Sequence, residues 1–489
     1  MLGNYADYIS AHAAATPNKL ALKDATENFT YAELDVLVTR SALALRARGV
    51  AVGEILGICL PDTARHVVML LAAARLGAII LPMDHRWTIS EGERIAAQFQ
   101  IRRMVVAPGR DTPSGVDSLP LDESWDALVS KRATGGAEQD FPRDNGMPML
   151  LSMSSGTTGT PKGPLSTHAA QIGRVLAGAI QAEDIVLMAT PLYFGAGRGF
   201  SLGGLLRGAT VVLSPPPFRP DQFVATLNAE RATYSFLVPT QLRGLLRLPD
   251  DGRLMFPSLR LLASSGAVLY PEERAEIMRR LTPNLFNMYA STEGGGVAML
   301  RPEDQGEKAR SVGRVYKHVT VEIVDAEDRV LPNGEIGRIR HKSPTLPSGF
   351  YNNPEETAKH FRDGWYYTGD LGRLDDDGFL YLAGRAKEMI IRGGVNIYPG
   401  EIEEPLLNVP RIHDCAAVAW PSPLLGEEVA LFVVRAADIT EAEILEVCRK
   451  VLSPYKVPKQ VFFIDELPKN AHGKVIRAAL VKQLPPIAE

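Results

Sequence analysis

The chain has 489 residues, 45% hydrophobic and 22% charged, enough for about three domain-sized units. Its 53 basic residues against 57 acidic leave a net charge of −4, which gives no footing for nucleic acid or an acidic membrane surface. Cys59, Cys415 and Cys448 are too few and too scattered for a disulfide framework or a zinc site, and they suit a reducing, cytoplasmic compartment.

The N-terminus lacks a basic segment followed by an apolar core, so no signal peptide is expected. The most apolar stretch, His66 to Met83, is interrupted by Arg75, Gly77 and Pro82. It reads as a helix over Val67–Arg75 running into a strand over Ala78–Leu81, not as a membrane span. A further strand is expected over Met104–Ala107. Residues 111–145 are rich in Ser, Asp, Gly and Pro and weakly periodic, and read as a variable connection. Met147–Met153 reads as a short buried strand, and Thr167–Ile180 as a helix with Thr167 as its N-cap.

Short apolar runs at Ile185–Ala189 and Thr210–Leu213 continue an alternation of strands and helices that argues for α/β layers. A turn signal falls at Asp375-Asp376-Asp377-Gly378, followed by a strand over Phe379–Ala383. Beyond it, Cys415–Trp420, Val429–Val434, Glu441–Leu452 and Val461–Ile464 alternate strand and helix, the pattern of a small separate α+β unit. The expected fold is therefore α/β, with a large layered N-terminal domain over residues 1–383 and a small C-terminal domain over residues 384–489.

Between the Met147–Met153 strand and the Thr167 helix lies Ser154-Ser155-Gly156-Thr157-Thr158-Gly159-Thr160-Pro161-Lys162-Gly163. The segment is rich in hydroxyls and glycines, with one lysine and no acid. Strand, polar glycine loop and helix make a setting for phosphate oxygens, gripped by backbone N–H groups and hydroxyls. It is not a Walker A loop, because Lys162 follows Pro161 and precedes Gly163. Nor is it a dinucleotide fingerprint, since no Gly-x-Gly-x-x-Gly follows a strand here.

The loop resembles the phosphate-binding signature of the adenylate-forming superfamily, which includes acyl-CoA synthetases, nonribosomal adenylation domains and luciferases. Four further segments resemble that family's motifs in the expected order. They are Tyr289-Ala290-Ser291-Thr292-Glu293, Tyr367-Thr368-Gly369-Asp370-Leu371, Gly384-Arg385-Ala386-Lys387-Glu388 continuing through Gly393-Gly394 to Glu403, and Pro468-Lys469-Asn470-Ala471-His472-Gly473-Lys474. The resemblance covers nearly the whole chain and implies a large domain capped by a mobile small one, with a hinge at 384–387.

The reaction so implied is activation of a carboxylic acid by ATP, giving an acyl adenylate and pyrophosphate, then transfer to coenzyme A with release of AMP. By the same resemblance, Ser154, Ser155, Gly156, Thr157, Thr158, Gly159 and Lys162 hold ATP phosphates. Lys474 reaches the reacting carboxylate and phosphate. Thr292 bonds the α-phosphate, and Glu293 is the Mg²⁺ ligand. Tyr289 packs on adenine beside Ala290 and Ser291, with Ser265-Gly266-Ala267 on the adenine face. Asp370 accepts the ribose hydroxyls, Arg385 contacts ribose or phosphate, Lys387 is the hinge, and Gly393-Gly394 lines a thiol tunnel.

Tyr193, Phe194, Gly195, Arg198, Gly294 and Gly295 fall at the acyl pocket, with Phe194 where relatives carry His. An aromatic face opposite side-chain-free backbone suits an aromatic or compact acid. Arg198 faces solvent or pairs with a second polar group on the substrate. The alternatives are a stand-alone enzyme that loads a carrier-protein phosphopantetheine, and a non-catalytic nucleotide-binding protein of the same fold. A monomer or homodimer is expected.

Overall fold

A computed structural model of the protein describes residues 3–130, 141–153, 162–392, 395–469 and 474–487. Its architecture is mixed α/β, built on four sheets. A nine-stranded sheet runs six of its strands parallel, in the order Leu285–Ser291, Leu261–Ser264, Tyr234–Leu237, Ile185–Met188, Thr210–Leu213 and Leu20–Lys23. A six-stranded sheet carries Pro148–Leu151 next to Ile79–Pro82 and pairs it antiparallel with Leu165–Thr167. A five-stranded antiparallel sheet holds Gly337–Lys342, Trp365–Leu374 and Leu380–Arg385. The fourth sheet is formed only by residues beyond Met389.

Local chemistry sets these elements. In the helix Ala64–Leu76 every residue but Arg65 is buried, and the polar exceptions His66 and Arg75 are hydrogen-bonded, as an interior helix requires. Thr63 caps it by accepting from His66 N, and Gly77 closes it at φ 81°, a left-handed angle that glycine adopts without penalty. The helix His168–Leu176 starts as expected, with the Thr167 side chain accepting from Ala170 N. It stops at Leu176 and not at Ile180.

Residues 111–130 are more ordered than their composition implied. A strand, Asp117–Pro120, and a helix, Glu123–Ser130, form there, and the helix buries Trp125 and Val129 in the main core. The buried clusters of the C-terminal part draw only on residues from Ile390 onward, while the other clusters stop at Leu380. No described helix is long and apolar enough to cross a membrane.

Candidate active site

Several predicted site segments follow the carboxyl ends of parallel strands. Leu261–Ser264 leads into Ser265-Gly266-Ala267, with Gly266 at φ 98°. Leu285–Ser291 carries Tyr289, Ala290 and Ser291 and delivers Thr292 and Glu293 to the turn beyond. Ile185–Met188 leads to Tyr193 and Phe194. Open α/β sheets hold their ligands in this crevice. Ser154, Ser155, Gly156, Thr157, Thr158 and Gly159, and likewise Gly393 and Gly394, lie outside the described residues.

Asp370 is the best-connected acid of the site. The Tyr289 hydroxyl donates to its Oδ2 at 2.5 Å, and Arg385 Nε pairs with its Oδ1 at 2.6 Å. Asp370 and Arg385 are register partners on neighbouring antiparallel strands. Burial pushes the Asp370 carboxyl up, against the pull of Arg385, Tyr289 and Lys474. Lys474 is thus close enough to the carboxylate for the two charges to interact. Its ammonium keeps an exposed surface yet sits deep enough among protein atoms to be drawn below the usual lysine value, with Arg385 adding to the effect and Glu388 and Asp370 opposing it.

The segment carrying Lys474 is anchored on both sides. Lys469 and Val475 form a β-bridge, and Lys469 Nζ pairs with Asp414 Oδ2 at 2.6 Å. Three residues past Lys474, Arg477 forks onto buried Glu403 at 2.8 and 3.1 Å and reaches Glu388 at 3.2 Å. Lys387 lies in a single 3₁₀ turn, Ala386–Glu388. Burial also lowers its ammonium, and Arg385 and Lys162 add to this. Two ion pairs therefore bracket that turn, Asp370–Arg385 just before it and Glu388–Arg477 at its last residue.

Lys162 is held by a residue the motif search missed. Its Nζ bonds Glu356 Oε2, and Lys359 bonds the other oxygen at 2.9 Å. These two lysines hold the Glu356 carboxyl at about 2. The separation of 194 residues hides the pair from any local pattern, although Asn353-Pro354 announces the helix that presents Glu356.

Tyr193 and Phe194 sit side by side, ring centroids 4.1 Å apart. Arg86 fixes Tyr193 by donating to its hydroxyl at 2.7 Å while forking onto Asp84. Arg198 points to neither solvent nor an acid. It is 3% exposed and donates to the carbonyls of Leu192 and Tyr193 and to Ser152 Oγ at 2.9 Å. Burial draws its guanidinium down to about 10, still charged at neutral pH. It thereby ties Ser152, at the end of the strand that leads to the phosphate loop, to the wall that carries Tyr193, a role its position on a helix face did not reveal.

Gly294, Gly295 and Gly296 are small because side chains press on them from behind. A β-carbon at Gly294 would lie 2.4 Å from His341 Nε2, at Gly295 3.2 Å from Arg174 Nε, and at Gly296 3.0 Å from the Tyr316 ring. Gly294 N donates to Ser291 Oγ at 2.8 Å and closes the turn. No group of three or more His, Cys, Asp or Glu among the described residues can hold a metal by itself. One carboxylate at Glu293 beside a nucleotide site nevertheless fits magnesium, which takes one or two carboxylates with phosphate oxygens and water.

The chain belongs to the AMP-binding enzyme family: the family model matches residues 9–351, and that of its C-terminal domain matches residues 401–474. Within that family it is an AMP-forming acid–CoA ligase, which adenylates an acid and passes the acyl group to coenzyme A. It is 33% identical to an indoleacetate–CoA ligase of Aromatoleum aromaticum, over 98% of this chain and 97% of the relative. It is 30% identical to a long-chain-fatty-acid–CoA ligase of Mycobacterium tuberculosis, over 93% of each chain. Its fold matches ATP-bound MatB of Rhodopseudomonas palustris with a TM-score of 0.89 at 28% identity, over 98% and 99% of the two chains.

Proposed function

We propose that the acid is aromatic or otherwise compact. The observation that carries this is a strip on the helix Gly195–Leu206. Gly195 and Gly199 stand one turn apart, and a β-carbon on either would meet nothing within 4 Å. Gly197, on the opposite side, could take no β-carbon, which would lie 2.2 Å from Pro191 O. Phe194 and Phe200 flank the open strip, and Phe200 stacks on Phe236 with centroids 4.9 Å apart. A flat, side-chain-free strip between aromatic rings favours a planar acid, because aromatic faces stack on rings. The kinship with an indoleacetate–CoA ligase points the same way.

In this reading Ser154–Gly159 and Lys162 receive the ATP phosphates, and Asp370 with Arg385 receives the ribose. Lys474 neutralises the approach of carboxylate to α-phosphate, both of them anionic, and so lowers the barrier to the acyl adenylate. Glu293 holds Mg²⁺, whose contribution is to offset phosphate charge. Residues 1–383 act as one unit and 384–489 as a second that turns about Lys387, a division supported by the separate buried clusters, with the strand Leu380–Arg385 carrying the first unit two residues further. The enzyme works in the cytoplasm, in keeping with three free, buried cysteines.

The test is a panel of aryl, arylacetic, cinnamic, short-chain, dicarboxylic and long-chain acids, assayed for AMP release with ATP and Mg²⁺, with and without CoA. The expected result is the highest kcat/KM for a planar aromatic acid and CoA-dependent turnover. A clear preference for long-chain fatty acids would overturn the assignment.

A further inference from the structure

Arg174 is an unusual residue for its place. It lies half-buried on the helix His168–Leu176, and among the described residues it forms no ion pair, although it feels the charge of the Glu293 carboxylate. Its Nη2 donates to the backbone carbonyls of Glu293 at 3.1 Å and Thr345 at 3.3 Å. Its Nε is buried without a partner. A guanidinium nitrogen shut away from water without a partner is costly to keep unless the group does something a neutral residue cannot.

The surroundings are shaped to admit it. Gly295 lies at φ 75° with its α-carbon turned toward the Arg174 guanidinium, so a side chain there would be both strained and crowded. His341, fully buried, fills the space beneath Gly294. Arg174 thus joins three separate segments: its own helix, the turn after Leu285–Ser291, and the loop after Gly337–Lys342.

We propose that Arg174 is a positioning residue for Glu293, holding the peptide of that residue so that its carboxylate faces the nucleotide and its magnesium. The proposal rests on the role given to Glu293 above. Nη2 donates to both carbonyls from the end of a rigid planar group, which fixes the turn's place more closely than a freely rotating ammonium would. The guanidinium donates to the Glu293 carbonyl, while the carboxylate stays within reach of its charge.

The experiment is calorimetric binding of a non-hydrolysable ATP analogue to the full chain, once with saturating Mg²⁺ and once with EDTA. Arg174→Met is expected to weaken binding with Mg²⁺ roughly tenfold, the usual size for removing an outer partner of a metal site, and to leave metal-free binding as it was. Arg174→Lys, which keeps the charge and loses the planar guanidinium, is expected to fall in the same direction and carries the test if Arg174→Met does not fold. Equal weakening in both conditions, or in neither, would overturn the proposal. Glu293→Gln is the control. If it leaves Mg²⁺-dependent binding intact, the role of Glu293 fails and Arg174's with it; if it weakens binding and neither Arg174 variant does, only the Arg174 proposal fails.

Discussion

Asp370 and Arg385 face each other across an antiparallel strand pair, and their 2.6 Å ion pair joins the ribose-binding candidate to the residue just before the hinge turn. The acid is also the acceptor of the Tyr289 hydroxyl, so both of its oxygens are engaged by protein. A change at Asp370 therefore acts on nucleotide binding and on the fold together.

Asp370→Ala is expected to weaken ATP binding and also to lower stability by about 1–3 kcal/mol, because a buried Tyr289 hydroxyl is left without its acceptor. Asp370→Asn keeps an acceptor and should lose affinity with a smaller drop in Tm. Thermal unfolding with and without ATP checks both. An alanine variant with native Tm and weak ATP binding would show that the bonds of Asp370 contribute nothing to the fold.

Lys474→Ala should cut adenylation by ~10²–10³ and spare thioester formation from supplied acyl adenylate, because the lysine serves only the first half-reaction. Pyrophosphate exchange and single-turnover thiolation measure the two. Equal loss in both would count against a small unit that alternates between two poses.

Lys387→Pro fixes φ within the Ala386–Glu388 turn. Adenylation should survive and CoA transfer should fall, as measured by the same pair of assays. Wild-type rates in both would remove Lys387 from the hinge.

Arg477→Met strands the Glu403 carboxylate, whose buried partners are the Arg477 fork and Ala417 N. Breaking a buried pair from one side costs about 3–5 kcal/mol, so the variant should unfold its C-terminal part at lower temperature and lose adenylation through a loosened Lys474 segment. Glu403→Gln with Arg477→Met should recover part of the Tm, a comparison that separates the stranded charge from lost packing.

Acid should destabilise the protein through its buried histidines. Burial holds His341 and His168 down to about 4 and His66 to about 3, against an ordinary value of 6.5. An unfolded chain takes up these protons below 6.5, whereas the folded one refuses them. Stability present above pH 6.5 is therefore lost progressively as pH falls toward 4. Thermal scans between pH 7 and 5 should show a falling Tm, and His341→Leu should make that fall shallower.

What the sequence disclosed depended on how local the cause was. Thr210–Leu213 forms the expected strand residue for residue, and Thr167 caps the expected helix, because hydrophobic runs and caps act over a few residues. The strand and helix within 111–145 escaped notice since burial of Trp125 and Val129 against the main core, a tertiary effect, holds them. Asp122, which accepts from Trp125 N, was the signal available. At the candidate site, motifs pointed to Tyr289, Asp370, Arg385, Lys474, Lys162 and Glu293, and the structure brings the first four together. Their supports, Glu356 under Lys162 and Arg174 under Glu293, lie 194 and 119 residues from what they hold, and no spacing rule spans such distances.

The two ion pairs that bracket the 3₁₀ turn also mark a seam. Residues through Arg385 share a ladder with Trp365–Leu374, and residues from Ile390 share another with Gly426–Arg435. A crossover placed at the Ala386–Lys387 peptide would sever no strand ladder and part neither pair. Relatives recombined there would inherit both pairs whole, while the 3.6 Å Arg310–Glu404 contact runs across the seam, so a hybrid that trades acid specificity against acceptor preference has that contact to match.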